Sequence, residues 1–118
     1  MINLPIKHKV ENLTQIIFHS KKMIIYISGP ITDDPFSKEK FQSAEDYFKS
    51  IGFKVVNPFK LDHSKNVTWE DYMKTDIQAL VECHQIYMLN NWRSSKGATL
   101  EHLIATQLKL KIIYQTEE

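Results

Sequence analysis

The chain has a single cysteine, Cys83, among its 118 residues. One cysteine cannot form an intrachain disulfide, and it excludes a zinc site built from several thiolates. We therefore expect Cys83 to be a small core residue rather than a nucleophile. The histidines show no metal-ligand spacing, so the sequence predicts neither a metal nor another cofactor.

The chain also lacks a strong net charge and a long apolar run. Its formal net charge is +1, and its 15 basic side chains are spread rather than clustered. A nucleic-acid binder concentrates positive charge on one surface, so we expect no nucleic-acid partner. No apolar run has the length that spans a bilayer, and the first residues lack the pattern of a signal peptide. We therefore expect a cytoplasmic protein with no membrane partner.

The length and the order of features predict one folded domain preceded by an extension. A chain of 118 residues can bury a core without disulfides. Residues 1–22 have mixed charge and a short, ambiguous apolar pattern, and we interpret them as an accessory extension. The folded domain is expected over residues 23–118, beginning at the first convincing strand.

Apolar runs alternate with helical patterns along this domain. The runs typical of buried strands are Met23–Ile27, Phe53–Val56, Gln85–Leu89 and Lys111–Tyr114. Between them, apolar residues at helical spacing predict three helices: one that begins at Ser37 and ends at Gly52, one from Trp69 to about Glu82, and one from Gly97 onward. The expected N-terminal caps are Ser37, Thr68, and the pair Ser94 and Ser95.

The β-α-β-α-β-α-β order predicts an α/β fold, an open parallel sheet of about four strands with helices on both faces. We expect a flavodoxin-like sheet with strand order 2-1-3-4. In such a sheet, ligands bind at the carboxyl ends of the strands where the order reverses. The expected crevice lies between two loops, Ser28-Gly29-Pro30 after the first strand and Asn91 to Gly97 after the third.

The start of the last helix combines features that favour an anion with a carboxylate. Ser94 and Ser95 are candidates to cap this helix, and the unpaired N–H groups of its first turn favour negative charge. Glu101 lies roughly 6–9 Å farther along the helix axis, so one small ligand could contact both. A simple cap and a solvated glutamate are the alternative interpretation.

Asp76 occupies a position where an apolar residue is expected. At 3.6 residues per turn it shares one helix face with Trp69, Tyr72, Met73 and Leu80. A buried carboxylate without a positive partner has a raised pKa and holds a proton that it can donate. The alternative is an Asp76 carboxylate bonded to backbone N–H groups of a neighbouring loop.

A set of short motifs runs through the domain in a specific order and spacing. The motifs are Tyr26-Ile-Ser-Gly-Pro-Ile31, Phe41-Gln-Ser-Ala-Glu45, Gly52 to Asn57-Pro58, Trp69 to Asp76, Ile86-Tyr-Met-Leu89, Trp92, Ser95, Gly97-Ala98 and Glu101. As a set, over about residues 23–114, they resemble the nucleoside 2-deoxyribosyltransferase-like proteins and, within them, the small DUF4406 group.

The resemblance implies cleavage of an N-glycosidic bond. Glu101 matches the carboxylate that attacks C1′ of a deoxyribose to form a glycosyl-enzyme intermediate, and Tyr26 matches the tyrosine that orients this carboxylate. Asp76 matches the acid that assists departure of the base. The residues themselves fit this division, with one carboxylate placed as a nucleophile and another buried enough to act as an acid.

The residue type at Ser95, six residues before Glu101, indicates whether the substrate carries a 5′-phosphate. In the family, transferases acting on free nucleosides usually have an acid there, whereas hydrolases of nucleoside 5′-monophosphates have a serine that binds the phosphate. An acid repels a phosphate, while a hydroxyl at a helix N-terminus near Arg93 and Lys96 attracts one. The expected substrate-binding residues are Ser28, Gly29, Pro30, Asn91, Trp92, Ser95 and Gly97.

The sequence therefore favours a (deoxy)nucleoside 5′-monophosphate as substrate, with water or a second base as acceptor. The alternatives are a non-catalytic nucleotide-binding or nucleotide-sensing module, and an interaction domain without a nucleotide. The resemblance also implies a homo-oligomer in which a neighbouring subunit completes the site. His84, at a helix-strand turn, and His102, expected at the surface, are not assigned to the chemistry.

Overall fold

The computed structural model describes residues 23–116, and its centre is a four-stranded sheet. The strands are β1 (Ile24–Ser28), β2 (Lys54–Val56), β3 (Gln85–Met88) and β4 (Lys111–Tyr114). They lie in the order β2-β1-β3-β4, and every neighbouring pair is parallel. The predicted open α/β sheet and its strand order are confirmed. The expected extension over residues 1–22 lies outside the described residues.

Three helices connect the strands. They are α1 (Ser37–Ser50), α2 (Trp69–Leu80) and α3 (Lys96–Gln107), with short 3-10 helices at Pro58–Lys60 and Trp92–Ser94. Two predicted caps are confirmed: the Thr68 hydroxyl accepts from the Asp71 N–H, and the Ser95 hydroxyl accepts from the Ala98 N–H. Within residues 23–116, no helix is both long enough and apolar enough to cross a membrane.

Two other predicted caps are wrong. Ser37 is the first residue of α1, and its hydroxyl donates to the carbonyl of Ile31 at 3.2 Å. The turn before α1 is closed instead by Asp34, whose side chain accepts from the Phe36 N–H at 2.9 Å. Ser94 lies inside the short 3-10 helix and donates to the Asn91 carbonyl at 2.7 Å. An N-cap hydroxyl must accept from a first-turn N–H, and neither serine is placed to do so.

The alternation of side chains along β1 separates two cores. Ile25 and Ile27 pack in one core with Phe41 and Phe48 of α1. Tyr26 packs in the other core, with residues of α2 and α3 that include Leu80, Ala98 and Ala105. Because alternate strand residues point to opposite faces, α1 covers one face of the sheet while α2 and α3 cover the other. Ser28 continues the alternation and therefore faces α2 and α3.

Cys83 lies in the core under α2 and is 5% exposed. Burial raises the pKa of its thiol to about 11. Since the thiolate is the reactive form, this cysteine is a poor nucleophile at neutral pH, and the expectation of a core residue is confirmed.

Gly29 allows the end of β1 to approach Leu89 closely. A Cβ atom at position 29 would lie 2.9 Å from Leu89 Cβ and 3.0 Å from its Cδ1. We expect Gly29→Ala to lower the free energy of unfolding by about 1–3 kcal/mol, the usual cost of overpacking, as measured by urea denaturation.

Gly97→Ala is the matched comparison for this prediction. Its added Cβ would meet Met73 Sδ at 3.1 Å, which is the end of a flexible side chain, and alanine favours the helix. We expect a smaller loss or none. Equal destabilisation by the two substitutions would contradict a specific packing role for Gly29.

Candidate active site

Glu101 is a buried carboxylate held at both oxygens. It lies on α3, is 5% exposed, and faces β1. The hydroxyl of Tyr26 donates to Oε2 at 2.6 Å, and the hydroxyl of Ser28 donates to Oε1 at 2.7 Å. The two donors sit two residues apart on β1 and therefore share one face of the sheet. An ionised carboxylate only accepts hydrogen bonds, so this arrangement suits the charged form of Glu101.

Burial and hydrogen bonding act in opposite directions on Glu101. The pKa of Glu101 is raised to about 7: burial is the largest cause, the bonds from Tyr26 and Ser28 oppose the rise, and the nearby charge of Asp76 adds to it. The pKa of Tyr26 is far above its usual value, first because of burial and then because of the charge on Glu101. Tyr26 therefore stays protonated as a donor, while Glu101 changes its charge near neutral pH.

Asp76 is buried on α2, as expected from its place on the apolar face, and is 5% exposed. Its partner differs from both predicted alternatives. Nε2 of His63, in the loop before α2, lies 2.7 Å from Oδ1 of Asp76. Burial raises the pKa of Asp76, and the hydrogen bond from His63 opposes that rise. The sequence analysis missed His63, because no local pattern links a loop histidine to a helix carboxylate thirteen residues later.

Ser95 occupies the N-cap of α3 and is half-buried. The two cations predicted beside it are held over aromatic rings. The Arg93 guanidinium lies 4.5 Å from the Trp92 ring centroid, and Lys96 Nζ lies 3.9 Å from that of Trp69. Such contacts keep positive charge near a ring without neutralising it. Gly97 follows, and its lack of a side chain lets α3 begin close to Met73 of α2.

Trp92 is buried, and its ring stacks on that of His102 with centroids 4.2 Å apart. His102 Nε2 lies 2.7 Å from the Tyr114 hydroxyl of β4. His102 is therefore half-buried, and its ring packs against Trp92 and β4. Consecutive helix residues point about 100° apart, so His102 faces Trp92 and β4 while Glu101 faces β1.

The loops after β1 and β3 meet at a cavity of about 220 Å³. Pro30 and Asn91, both predicted to contact substrate, line this cavity together with Gln115. Its wall also includes Asp34 and Lys40, which form an ion pair at 2.7 Å. The cavity lies between the two loops, but Glu101 and Asp76, on the helices expected to flank the crevice, do not line it.

The structure thus divides the predicted site residues into groups. Tyr26, Ser28 and Glu101 are joined by hydrogen bonds on the face covered by α2 and α3. Asp76 interacts electrostatically with both Tyr26 and Glu101. Pro30 and Asn91 lie at the cavity, while Gly29 and Trp92 are engaged in packing. Within residues 23–116, no three His, Cys, Asp or Glu side chains are grouped so that they could hold a metal ion.

The fold and this site define an open α/β sheet protein with a buried carboxylate beneath the carboxyl end of its first strand. The chain matches the family described as "Domain of unknown function (DUF4406)" over residues 23–114, and it belongs to that family. A comparison with curated proteins finds no match. The wider resemblance to the nucleoside 2-deoxyribosyltransferase-like proteins stays a prediction.

Proposed function

We propose that the protein cleaves the N-glycosidic bond of a (deoxy)nucleoside 5′-monophosphate through a glycosyl-Glu101 intermediate. The observation that carries this proposal is the environment of Glu101. The groups that set its pKa besides burial are the hydroxyls of Tyr26 and Ser28 and a second acid, Asp76, rather than a cation. A carboxylate held in this way has no neutralising partner, which leaves its charge for an electron-poor carbon of a substrate.

The proposed chemistry has two half-reactions. In the first, an oxygen of ionised Glu101 bonds to C1′ while the N-glycosidic bond breaks, and the electron pair of that bond leaves with the base. Asp76 gives the departing base its proton, so the reactive form is the one in which the coupled pair of Glu101 and Asp76 holds a single proton and that proton lies on Asp76. In the second, water or another base attacks C1′ and the ester to Glu101 breaks. The attacking water or base gives up a proton to Asp76, which restores the starting state.

The phosphate of the substrate is assigned to the N-terminus of α3. Ser95 caps this helix with its hydroxyl oxygen, and the same hydroxyl has a hydrogen to donate to a phosphate. The helix dipole and the nearby side chains of Arg93 and Lys96 add positive potential. A nucleotide whose phosphate lies at Ser95 would extend along α3 towards Glu101, roughly 9 Å away along the helix axis.

A non-catalytic nucleotide-binding module is the second candidate, and one observation favours it. Glu101 is 5% exposed, and both of its oxygens already accept hydrogen bonds. A carboxylate with this coordination can also serve to brace β1 against α3. In that case the nucleotide would be bound and released unchanged.

The experiment that tests the proposal is a panel of nucleoside and deoxynucleoside 5′-monophosphates beside the free nucleosides, with released base followed by chromatography. Release from monophosphates that is lost in Glu101→Ala supports the proposal. Turnover in that variant at the level of the unaltered protein contradicts it. Binding by calorimetry without release over hours supports the non-catalytic module, and no binding at all supports an interaction domain.

Self-association, implied by the resemblance, is part of the proposal. Among the described residues, Phe36 and Val67 are large apolar side chains that are 65% and 87% exposed, and either could be covered by another copy. Light scattering on the purified protein measures the oligomeric state directly.

A further inference from the structure

His63 lies between the 3-10 helix Pro58–Lys60 and α2, and it contacts α2 at two points. Its Nε2 is 2.7 Å from Oδ1 of Asp76. Its ring stacks on Tyr72, with centroids 4.6 Å apart and planes inclined by 25°. Tyr72 and Asp76 are four residues apart and therefore neighbours on one helix face. The ring lies along α2 in an orientation that directs Nε2 at the carboxyl group.

The loop that carries His63 is anchored by other contacts on each side. Before it, Lys60 Nζ lies 2.9 Å from Oε2 of the buried residue Glu45. After it, the Thr75 hydroxyl donates to Oδ1 of Asn66 at 3.0 Å. The loop therefore has contacts on both sides of His63 that do not involve its ring. The main contact of the His63 ring nitrogen is therefore with the carboxyl group of Asp76 and not with its own loop.

A buried acid that protonates a leaving group needs a defined orientation, with one oxygen directed at the substrate. Asp76 is 5% exposed, and the contact with His63 occupies Oδ1. Proton transfer also requires that the carboxylate left behind be stabilised in a site that excludes water. In the tautomer that carries its proton on Nε2, His63 donates to Oδ1 of Asp76 and can supply that stabilisation.

We propose that His63 is a positioning residue for proton delivery, which holds Oδ1 of Asp76 so that Oδ2 faces the departing base. The base leaves with the electron pair of the N-glycosidic bond and takes the proton from Oδ2, and the resulting carboxylate accepts a hydrogen bond from His63. In hydrolysis, a proton of the attacking water returns to Oδ2. This inference rests on the proposed function and adds to it a residue outside the matched motifs.

The groups that face the pair of His63 and Asp76 come from four elements. Asp62 neighbours His63 in the loop and interacts with it electrostatically, and Tyr72 stacks on it from α2. Tyr26 of β1 and Glu101 of α3 interact electrostatically with Asp76. The charges of these neighbours also affect any pH titration of His63 and Asp76. The test therefore compares variants at position 63 with one another.

The kinetic test uses His63→Phe, which keeps the stacked ring and removes the donor, with deoxyguanosine 5′-monophosphate and its 7-methyl derivative as substrates. A 7-methylated guanine leaves as a neutral base without needing a proton. We expect His63→Phe to lower kcat by about 10-fold to 100-fold on the unmodified nucleotide, and by less than about 3-fold on the methylated one. KM should stay within about 2-fold of the unaltered value on both.

Two further variants sharpen this comparison. His63→Gln places an amide donor near Oδ1 of Asp76, and we expect it to restore part of the lost kcat. His84→Phe is the matched control, because His84 is exposed and bonds the backbone N–H of Ile24, away from the site. Equal losses on the two nucleotides in His63→Phe would overturn the inference, since a purely structural defect does not distinguish leaving groups.

A second measurement is independent of turnover. The carboxyl carbon of Asp76, followed by ¹³C NMR during a pH titration, reports its pKa. In His63→Phe we expect this pKa to rise further, because burial remains while the opposing hydrogen bond is lost. No change in the pKa of Asp76 overturns the inference even if the protein is active. If no nucleotide releases its base, the proposed function is overturned, and with it the delivery of a proton to a base. The titration still decides in that case whether His63 controls the pKa of Asp76.

Discussion

Glu101→Gln is expected to abolish base release and at the same time to stabilise the fold at alkaline pH. The amide is nearly isosteric with the carboxylate. Its oxygen can accept from one of the two hydroxyls of Tyr26 and Ser28 while its NH2 group donates to the other, but it cannot attack C1′. Loss of a nucleophile should lower kcat at least about 1000-fold. Chromatography of the released base measures this loss. The same assay on the unaltered protein should show an optimum of activity along pH, because the reaction needs Glu101 ionised and Asp76 protonated.

The stability gain follows from the raised pKa of Glu101. Folding shifts this pKa from its ordinary value of 4.5 to about 7, so the folded state binds the proton more tightly than the unfolded state. Below about pH 4.5 the carboxyl group is neutral in both states and carries no penalty. The penalty grows as the pH rises and is complete above about pH 7, where it reaches about 3 kcal/mol. Urea denaturation at pH 8 should therefore show Glu101→Gln to be more stable by up to that amount, with the difference fading towards pH 4.5.

Glu45→Gln is the matched control, and its effect should have the opposite sign. Glu45 also has little solvent exposure, but bonds from Lys49, Lys60 and Asn57 outweigh the effect of burial and lower its pKa. Its charge therefore stabilises the fold above the ordinary pKa of a glutamate and ceases to do so as the pH falls through the lowered value. Glu45→Gln should be less stable at pH 8. If Glu101→Gln is destabilised at pH 8 in the same way, then Glu101 contributes to stability and the raised pKa is wrong.

The sheet could be predicted from the sequence because its strands carry their own signals. Runs such as Ile86–Leu89 are apolar throughout, which is typical of a parallel strand covered on both faces, and helical spacing separates them. The cap at Thr68 was predictable for the same reason, because it depends on residues within one turn. At Ser37 two local signals compete: the side chain of Asp34 accepts from the Phe36 N–H, and this bend starts α1 one residue earlier than a serine cap would require.

The candidate site could be predicted only in part, since its contacts join distant segments. The resemblance pointed to Tyr26 beside Glu101, and the alternation of β1 then explains why Ser28 reaches the same carboxylate. The sequence did not predict this use of Ser28, which was assigned to the substrate. The bond from His63 to Asp76 depends on how a loop folds back over α2, and no periodic pattern encodes such a path.

Ser95→Asp is expected to change the substrate preference without harming the fold. Aspartate is as good an N-cap as serine, and its charge also interacts favourably with the dipole of α3. A second negative charge within about 4 Å of a bound phosphate costs on the order of 4 kcal/mol at an effective dielectric constant near 20. We expect kcat/KM on 5′-monophosphates to fall by about 100-fold to 1000-fold, with free nucleosides unaffected, in the same base-release assay.

Ser95→Asn separates the cap from the charge. Asparagine also caps helices well, and it is neutral, so α3 should keep its start while a phosphate is not repelled. Thermal unfolding should give both variants a stability close to that of the unaltered protein. If Ser95→Asn loses as much activity on monophosphates as Ser95→Asp does, then the serine hydroxyl itself is required and repulsion is not the cause. If neither variant loses activity, the phosphate does not lie at the N-terminus of α3.

Salt provides an independent check on the Ser95→Asp result. Charge repulsion near the protein surface is screened over about 8 Å at physiological ionic strength and over shorter distances at higher salt. Ser95 is half-buried, so part of its environment is open to solvent ions. The defect of Ser95→Asp on monophosphates should therefore shrink as salt is raised from low to molar concentration, while any defect of Ser95→Asn should not. A loss that is insensitive to salt would place its cause in the geometry of the helix start, and the preference for nucleotides over nucleosides would then need a different residue.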